Sequence, residues 1–319
     1  MTKRIFITGG SGCVGHYLVE SLLAQTDWDL YLLLRNPAKL KVRFPAGADT
    51  RLHILPGSMQ DMDKYQELLG TMHFAVSTAA CWGGTEQVYS TNVDKTLELF
   101  NYLNPDLCDR AIYFSTASIL DAHNQLLPQA ESIGPDYIRS KYICLQKLED
   151  LPISDRLITV FPTLVFGGDQ EYPKSHLSAG LAEVASKVGL LRWLKADASL
   201  HFIHAQDIAQ IVTHLLTQPK VVGEAFPQRL VLGMERLTAN QAIAETCAFY
   251  HQPIGWQLEL NLTWIEILIK LFNIKVGAWD YFCIQQRHFT YDVTRPETFG
   301  LNSFYPRVAN LLAELPTKK

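Results

Sequence analysis

No uncharged apolar run in the 319 residues reaches membrane-span length, which needs about 20 consecutive apolar residues. The six cysteines, at 13, 81, 108, 144, 247 and 283, are widely scattered, without a C-x-x-C or a metal-ligand spacing. That excludes a disulfide framework and a zinc ribbon, and predicts reduced, mostly buried thiols with no metal. Neither sign of charge is in excess: 28 Lys and Arg stand against 32 Asp and Glu, a net charge of −4. Nucleic acid is therefore not an expected partner. Internal repeats and low-complexity tracts are lacking too, and no signal peptide precedes the first apolar segment, so a cytoplasmic protein is expected. What remains is an ordinary globular composition, long enough for a sizeable core in one large or two moderate domains.

The chain is organised around Lys3 to Gly15, KRIFITGGSGCVG. Ile5, Phe6 and Ile7 form a short apolar, β-favouring run that suits a buried parallel strand. Glycines follow at 9, 12 and 15, and His16 to Ala24 reads as a helix. Strand, glycine turn, helix is the setting a dinucleotide fingerprint requires. Gly9 allows the tight turn, Gly12 the approach of a pyrophosphate, and Gly15 close packing of helix on strand. Gly10, Ser11, Cys13 and Val14 complete the expected cradle, with the unpaired N–H groups of the helix end facing the phosphates. Asp29 to Leu34 reads as the second strand and ends at Arg35. An arginine there pairs with a 2′-phosphate, where an acid would hold free ribose hydroxyls. With Lys39 and Arg43 behind it, Arg35 favours NADP(H) and leaves NAD(H) second.

The chemistry is carried by GPDYIRSKYICLQKLED, Gly134 to Asp150. Tyr137 and Lys141 are four apart and share one helix face. Hydride transfer at a carbinol carbon needs a proton moved to or from its oxygen. A phenol can do this if a neighbouring ammonium and a cationic nicotinamide lower its pKa.

The glycine spacing is G-x-x-G-x-x-G, and TGGSGCVG followed by Y-x-x-x-K resembles the extended short-chain dehydrogenases/reductases, the epimerase/dehydratase-like branch. The resemblance implies an α/β fold, a Rossmann-type doubly wound parallel sheet with a smaller, mainly C-terminal substrate lobe. It places the NAD(P)-binding domain at 1–168, with 201–232 returning to it, and the lobe at 169–200 and 233–319. By the same resemblance Ser58 and Met59 lie near the adenine, although Ser58 replaces the family's acid. Thr78, Ala79 and Ala80, in a fourth strand Phe74 to Ala80, pass beside the cofactor. Asn92, in T-N-V at the opening of a helix, shapes the active site. Thr116 takes the catalytic hydroxyl position, with Ser118 as the fallback because Leu120-Asp121 replaces the usual Y-G. Pro162 and Leu164, in FPTLVFGG, run near the nicotinamide. HFIHAQDI matches the segment in which Asp207 caps a helix. Family members also commonly pair as homodimers through helices of the first domain.

Three functions follow from these residues. The first is an NADP-dependent oxidoreductase interconverting an alcohol and a carbonyl through Thr116, Tyr137 and Lys141. The second is a nucleotide-sugar epimerase or dehydratase with retained NAD. That reading lacks the expected cations for a pyrophosphate, for which only Arg192, Lys195 and Arg287 offer themselves. The third is a non-catalytic NADP-binding protein. The strongly apolar stretch Asn261 to Gln286 reads first as a lobe helix buried against the first domain. Its alternatives are a channel for a largely apolar small-molecule substrate and peripheral contact with a membrane surface.

Overall fold

The computed structural model describes residues 2–41, 48–218, 228–271 and 275–315. Seven strands form one parallel sheet: β1 (Arg4–Thr8), β2 (Asp29–Leu34), β3 (Leu52–Pro56), β4 (Phe74–Ser77), β5 (Arg110–Phe114), β6 (Leu157–Pro162) and β7 (Gln228–Leu232). Their order is β7-β6-β5-β4-β1-β2-β3. The chain winds outward through β2 and β3, returns to β4, and winds the other way. The reversal lies between β1 and β4, and the crevice beyond the carboxyl ends of those two strands is where such sheets take ligands. Thr8 pairs with Ser77 at that edge, so the glycine turn and residues 78–84 flank the crevice.

Successive strand residues face opposite sides of the sheet. Ile5 and Ile7 join one core with Leu18 and Leu22 of α1 (Cys13–Gln25), while Phe6 joins another with Cys144 and Leu148 of α2 (Asp136–Leu148). α3 (Ala205–Thr217) packs beside α1 and buries Ile208, Ile211 and Val212 in the first core. A fully buried Leu or Ile of this kind contributes about 1.5–3 kcal/mol.

Several local expectations are corrected. The fourth strand ends at Ser77, because Thr78 turns its hydroxyl back onto the Thr8 carbonyl at 2.7 Å. Asn92 does not open a helix: the helix starts at Thr85–Tyr89, passes through a π-turn at Ser90–Asp94 and continues as Lys95–Asn101. Asp207 does not cap α3. His204 is the cap, accepting from the Gln206 N–H, and the Asp207 carboxylate instead accepts from the N–H groups of Phe304 and Tyr305. A carboxylate one turn inside a helix is free to tie a distant segment to it. The apolar 261–286 stretch is two helices, α4 (Leu262–Leu271) and α5 (Ala278–Gln286). α4 is not buried against the sheet, since Trp264, Ile267 and Leu271 are exposed. Phe272 and Ile274 of that stretch, like Arg43, lie outside the described residues. Among the described residues no helix is long and apolar enough to cross a membrane.

Candidate active site

The glycine turn is tight for a visible reason. Gly9 has φ +75°, and a Cβ on it would sit 2.3 Å from Thr78 Oγ1 and 2.7 Å from the Ala79 nitrogen. A Cβ on Gly15 would meet the Gly9 carbonyl oxygen at 2.2 Å, so α1 and β1 touch there backbone to backbone. Gly12 differs: a Cβ on it would meet only the Gly9 oxygen, at 3.2 Å. Gly12 also caps α1 with no side-chain hydrogen bond. The first N–H groups of α1 are therefore available to an anion, and the space above Gly12 is a cradle that a side chain would fill. Cys13 and Val14 form the first turn. Burial pushes the Cys13 thiol up to about 12, so it is a neutral packing group.

Gly10 lies against Leu32 and Leu34 of β2, which brings Arg35, exposed and without an ion-pair partner among the described residues, to the rim of the turn. Ser58 is already committed. It caps the 3-10 helix Met59–Tyr65 in a reciprocal box with Asp61, whose carboxylate accepts from its N–H and hydroxyl. Met59 is buried. Pro162 ends β6 buried, whereas Leu164 is exposed.

Asn92 is fully buried, and its amide is spent on scaffold. Its Oδ1 accepts from the Cys81 N–H at 2.8 Å, and its Nδ2 donates to the Cys81 carbonyl at 2.9 Å and to Ser140 Oγ at 3.0 Å. Ser140 in turn donates to the Tyr137 carbonyl at 2.8 Å. One side chain thus ties the loop after β4 to the turn of α2 that carries Tyr137. The π-turn is what lets Asn92 reach both.

Lys141 is buried, with Nζ donating to the Phe114 carbonyl at 2.7 Å and lying 5.9 Å from the Tyr137 ring centroid. Burial lowers its ammonium to about 8. Tyr137 goes against expectation: burial raises its phenol well above the usual tyrosine range. Burial is the cause of that rise among the described residues, and without cofactor it favours the neutral, proton-donating form. Its hydroxyl has no protein partner among the described residues. Thr116 caps the short helix Ala117–Ile119 and accepts from the Ser118 N–H at 3.3 Å. Beside it the Ser115 hydroxyl is buried with no partner among the described residues. Ile119 is fully buried and Asp121 turns the chain through the His123 and Gln125 N–H groups, a register that keeps Thr116 at the end of β5.

Sequence reasoning offered the 261–286 stretch as an apolar substrate channel but did not group it with Tyr137. Leu126 and Phe161, then Trp279 and Phe282 of α5, and Tyr291 and Val293 join it in one apolar cluster. It also missed Trp82, whose indole stacks on the Tyr137 ring. The W-G-G that follows β4 was the available signal. Of the cations that a sugar-nucleotide pyrophosphate would need, Arg287 is paired with Asp197 at 3.2 Å and Arg192 stacks on Trp193.

Comparison with known proteins was made on this geometry. A family model described as the NAD dependent epimerase/dehydratase family matches residues 5–232. A sterol-4-alpha-carboxylate 3-dehydrogenase, decarboxylating, of Dictyostelium discoideum is 28% identical over 102 residues, 32% of this chain and 31% of that protein. The chain is thus matched to about a third of that relative's length. The crystal structure of gox2253 superposes with a TM-score of 0.71 at 18% identity, covering 98% of each chain. A UDP-N-acetylglucosamine 4-epimerase from Methanobrevibacter ruminantium, in complex with UDP-N-acetylmuramic acid, gives 0.65 at 15% identity, covering 98% of this chain and 96% of that one. At these identities the two structures attest the fold.

Proposed function

The chain belongs to the NAD dependent epimerase/dehydratase family, an NAD(P)-dependent enzyme of the extended short-chain dehydrogenase/reductase type, and on that premise we propose that it interconverts an alcohol and a carbonyl on a largely apolar small molecule with NADP(H). The observation that carries the reading is the setting of Tyr137: a hydroxyl with no partner among the described residues, an ammonium on the next turn, and a place in an apolar cluster against which Trp279, Phe282, Tyr291 and Val293 also pack. Supporting it are the likeness to a sterol dehydrogenase and the engagement of Arg192 and Arg287 elsewhere. Lys195, exposed, is the one remaining cation of the three that a nucleotide sugar would call on.

The cradle of Gly9, Gly10, Ser11, Gly12, Cys13, Val14 and Gly15 fits a dinucleotide pyrophosphate, Arg35 a 2′-phosphate, and Thr78 to Ala80 the passage of the ribose. Bound there, the nicotinamide supplies or takes up the hydride. In the reducing direction Tyr137 gives its proton to the carbonyl oxygen, which Thr116 holds by a hydrogen bond, and the proton is restored from solvent. Lys141 holds the nicotinamide ribose and favours the phenolate left on Tyr137 after transfer. Asn92 acts through Cys81 and Ser140 as a positioning residue. Segments 169–200 and 233–319 place no described strand in the main sheet, which supports their reading as the substrate lobe.

The test is thermal unfolding with NADPH, NADH, NADP or NAD, followed by turnover of Tyr137→Phe. At a hundred times Kd a ligand of the native state adds about 2.7 kcal/mol, which for 319 residues raises Tm by about 4 °C. NADPH is expected to give that shift and NADH little of it. Tyr137→Phe is expected to keep NADPH affinity within a few-fold and to lose on the order of a hundredfold in turnover. Co-purified NAD with no response to NADPH, together with UDP-sugar turnover, would instead establish the nucleotide-sugar reading. Intact binding with a fully active Tyr137→Phe would remove Tyr137 from the chemistry.

A further inference from the structure

Trp82 is 71% exposed, yet it is seated: its ring centroid lies 3.6 Å from that of Tyr137, with the planes 13° from parallel. It is carried on a very short strap. On one side Cys81 is clamped through both its N–H and its carbonyl by Asn92. On the other, Thr85 Oγ1 donates to Asp136 Oδ2 at 2.7 Å, on the residue just before Tyr137. Between these pins lie only Trp82, Gly83 and Gly84. A Cβ on Gly83 would meet nothing within 4 Å, and Gly84 has φ +80°, a conformation that other residues rarely adopt. The strap's ends are fixed by these bonds. Its middle is held more lightly, by the Cys81 thiol on the Gly83 carbonyl at 3.5 Å and the Val88 N–H on the Gly84 carbonyl at 2.8 Å. Its one large side chain rests on the ring of the proton donor. The stack on Tyr137 is a face-to-face ring contact, of a kind that another flat face can replace.

We propose that Trp82 is the specificity-determining residue of this site: its indole leaves the phenol as substrate enters and stacks on the substrate's flat, fused-ring carbon skeleton. The inference rests on the apolar-carbonyl reading and deepens it to a shape class. An indole face rewards a rigid plate, which gives up little conformational entropy on stacking, over a flexible chain of the same carbon count. Trp279, Phe282 and Tyr291, which pack against the same apolar cluster as Tyr137, would offer such a plate apolar edges. A nucleotide sugar could stack too, but two of the three cations its diphosphate would call on are held elsewhere, Arg192 on Trp193 and Arg287 by Asp197.

The experiment measures affinity at saturating NADPH for a 3-ketosteroid, a straight-chain ketone of equal carbon count and UDP-glucose, in wild type, Trp82→Phe and Trp82→Ala. Both variants should fold, since the indole is mostly in water, and their Tm values check this. The steroid ketone is expected to bind Trp82→Ala at least tenfold more weakly and Trp82→Phe within about threefold of wild type. Affinities for NADPH and the chain ketone should change by less than threefold. Equal steroid affinity in wild type and Trp82→Ala overturns the proposal and leaves the apolar-carbonyl reading standing. So does a chain ketone that loses as much as the steroid. A wild type that binds neither ketone overturns the proposal together with the reading beneath it, whether or not UDP-glucose binds.

Discussion

Gly12→Ala and Gly15→Ala add the same methyl group three residues apart and should do opposite things. At Gly15 the new Cβ would lie 2.2 Å from the Gly9 oxygen and 2.7 Å from the Gly10 Cα. Both neighbours are backbone, so α1 must move off β1. Overpacking of that kind costs typically about 1–3 kcal/mol, and the upper end applies where no side chain can yield. At roughly 0.7 kcal/mol per kelvin for a chain of 319 residues, about 3 kcal/mol lowers Tm by about 4 °C. Gly12 has φ −85° and ψ 176°, open to alanine, and its Cβ would press only on one oxygen at 3.2 Å. Its stability should stay within about 1 kcal/mol of wild type, the lost freedom of the unfolded chain offsetting a poorer cap. The methyl does, however, enter the cradle over the helix end. NADPH affinity, read by its fluorescence in a titration, should fall at least tenfold in Gly12→Ala, about 1.4 kcal/mol. A Gly12→Ala protein that melts normally and binds NADPH as wild type does would refute the cradle. One that loses as much Tm as Gly15→Ala would refute the account of the turn's packing.

Arg35→Asp should weaken NADPH at least tenfold more than NADH in the same titration, and equal losses would remove the 2′-phosphate assignment. Asn92→Leu deletes three hydrogen bonds and should cost about 3 kcal/mol, read as a Tm lower by about 4 °C; turnover should fall further than NADPH affinity, and wild-type turnover would show that the Cys81 clamp positions nothing. Lys141 stands near pKa 8 in the folded protein, below the 10.5 of the open chain. Between those values the unfolded state binds more protons, so this residue makes stability rise with pH across about 8 to 10.5, by about 3 kcal/mol in all. Lys141→Met should flatten that part of the stability curve of the cofactor-free protein, and an unchanged slope would mean that burial does not lower the ammonium's pKa.

The parallel sheet and its switch point were legible because each strand announces itself as a short β-favouring apolar run and the glycine turn marks the first crossover. Tyr137 and Lys141 were legible because four residues of helix put them on one flank. What escaped depends on contacts between residues far apart in the chain. Asn92 looked like a helix opening, since nothing local signals that its amide reaches Ser140, 48 residues on. Asp207 looked like a cap because a first-turn acid commonly serves there, and the chain's return at Phe304 and Tyr305 is invisible to periodicity. Composition showed that the 261–286 stretch was apolar but not how it was divided. α5 sends Trp279 and Phe282 to the Tyr137 cluster while α4 keeps Trp264 and Leu271 in water. In the protein alone the phenol's pKa is raised, since the Lys141 Nζ is turned to Phe114 and burial prevails; the positive nicotinamide, the other expected source of a lowered value, comes only with the bound cofactor.

The division of hydrogen-bonding capacity within α2 tells scaffold from chemistry. Ser140 has spent its one donor, giving a bond to the Tyr137 carbonyl and taking one from Asn92. Lys141 has three donors and spends one, on Phe114. The Tyr137 hydroxyl, one turn earlier, spends none on the described residues. Asn92 has every strong partner it can use inside the protein and so can act on a substrate only through the residues it holds. A buried ammonium with donors to spare and a neutral phenol with none engaged are, by contrast, left wanting partners at the carboxyl edge of a switch point. Those unspent hydrogen-bonding positions are what a ligand's ribose and a carbonyl oxygen would take up together. The same reasoning explains why Trp82 lies where it does. An open phenol ring beside an apolar wall is covered by the nearest movable flat surface, and that cover is weak enough to be exchanged, since an aromatic pair is worth only about 0.5–1.5 kcal/mol.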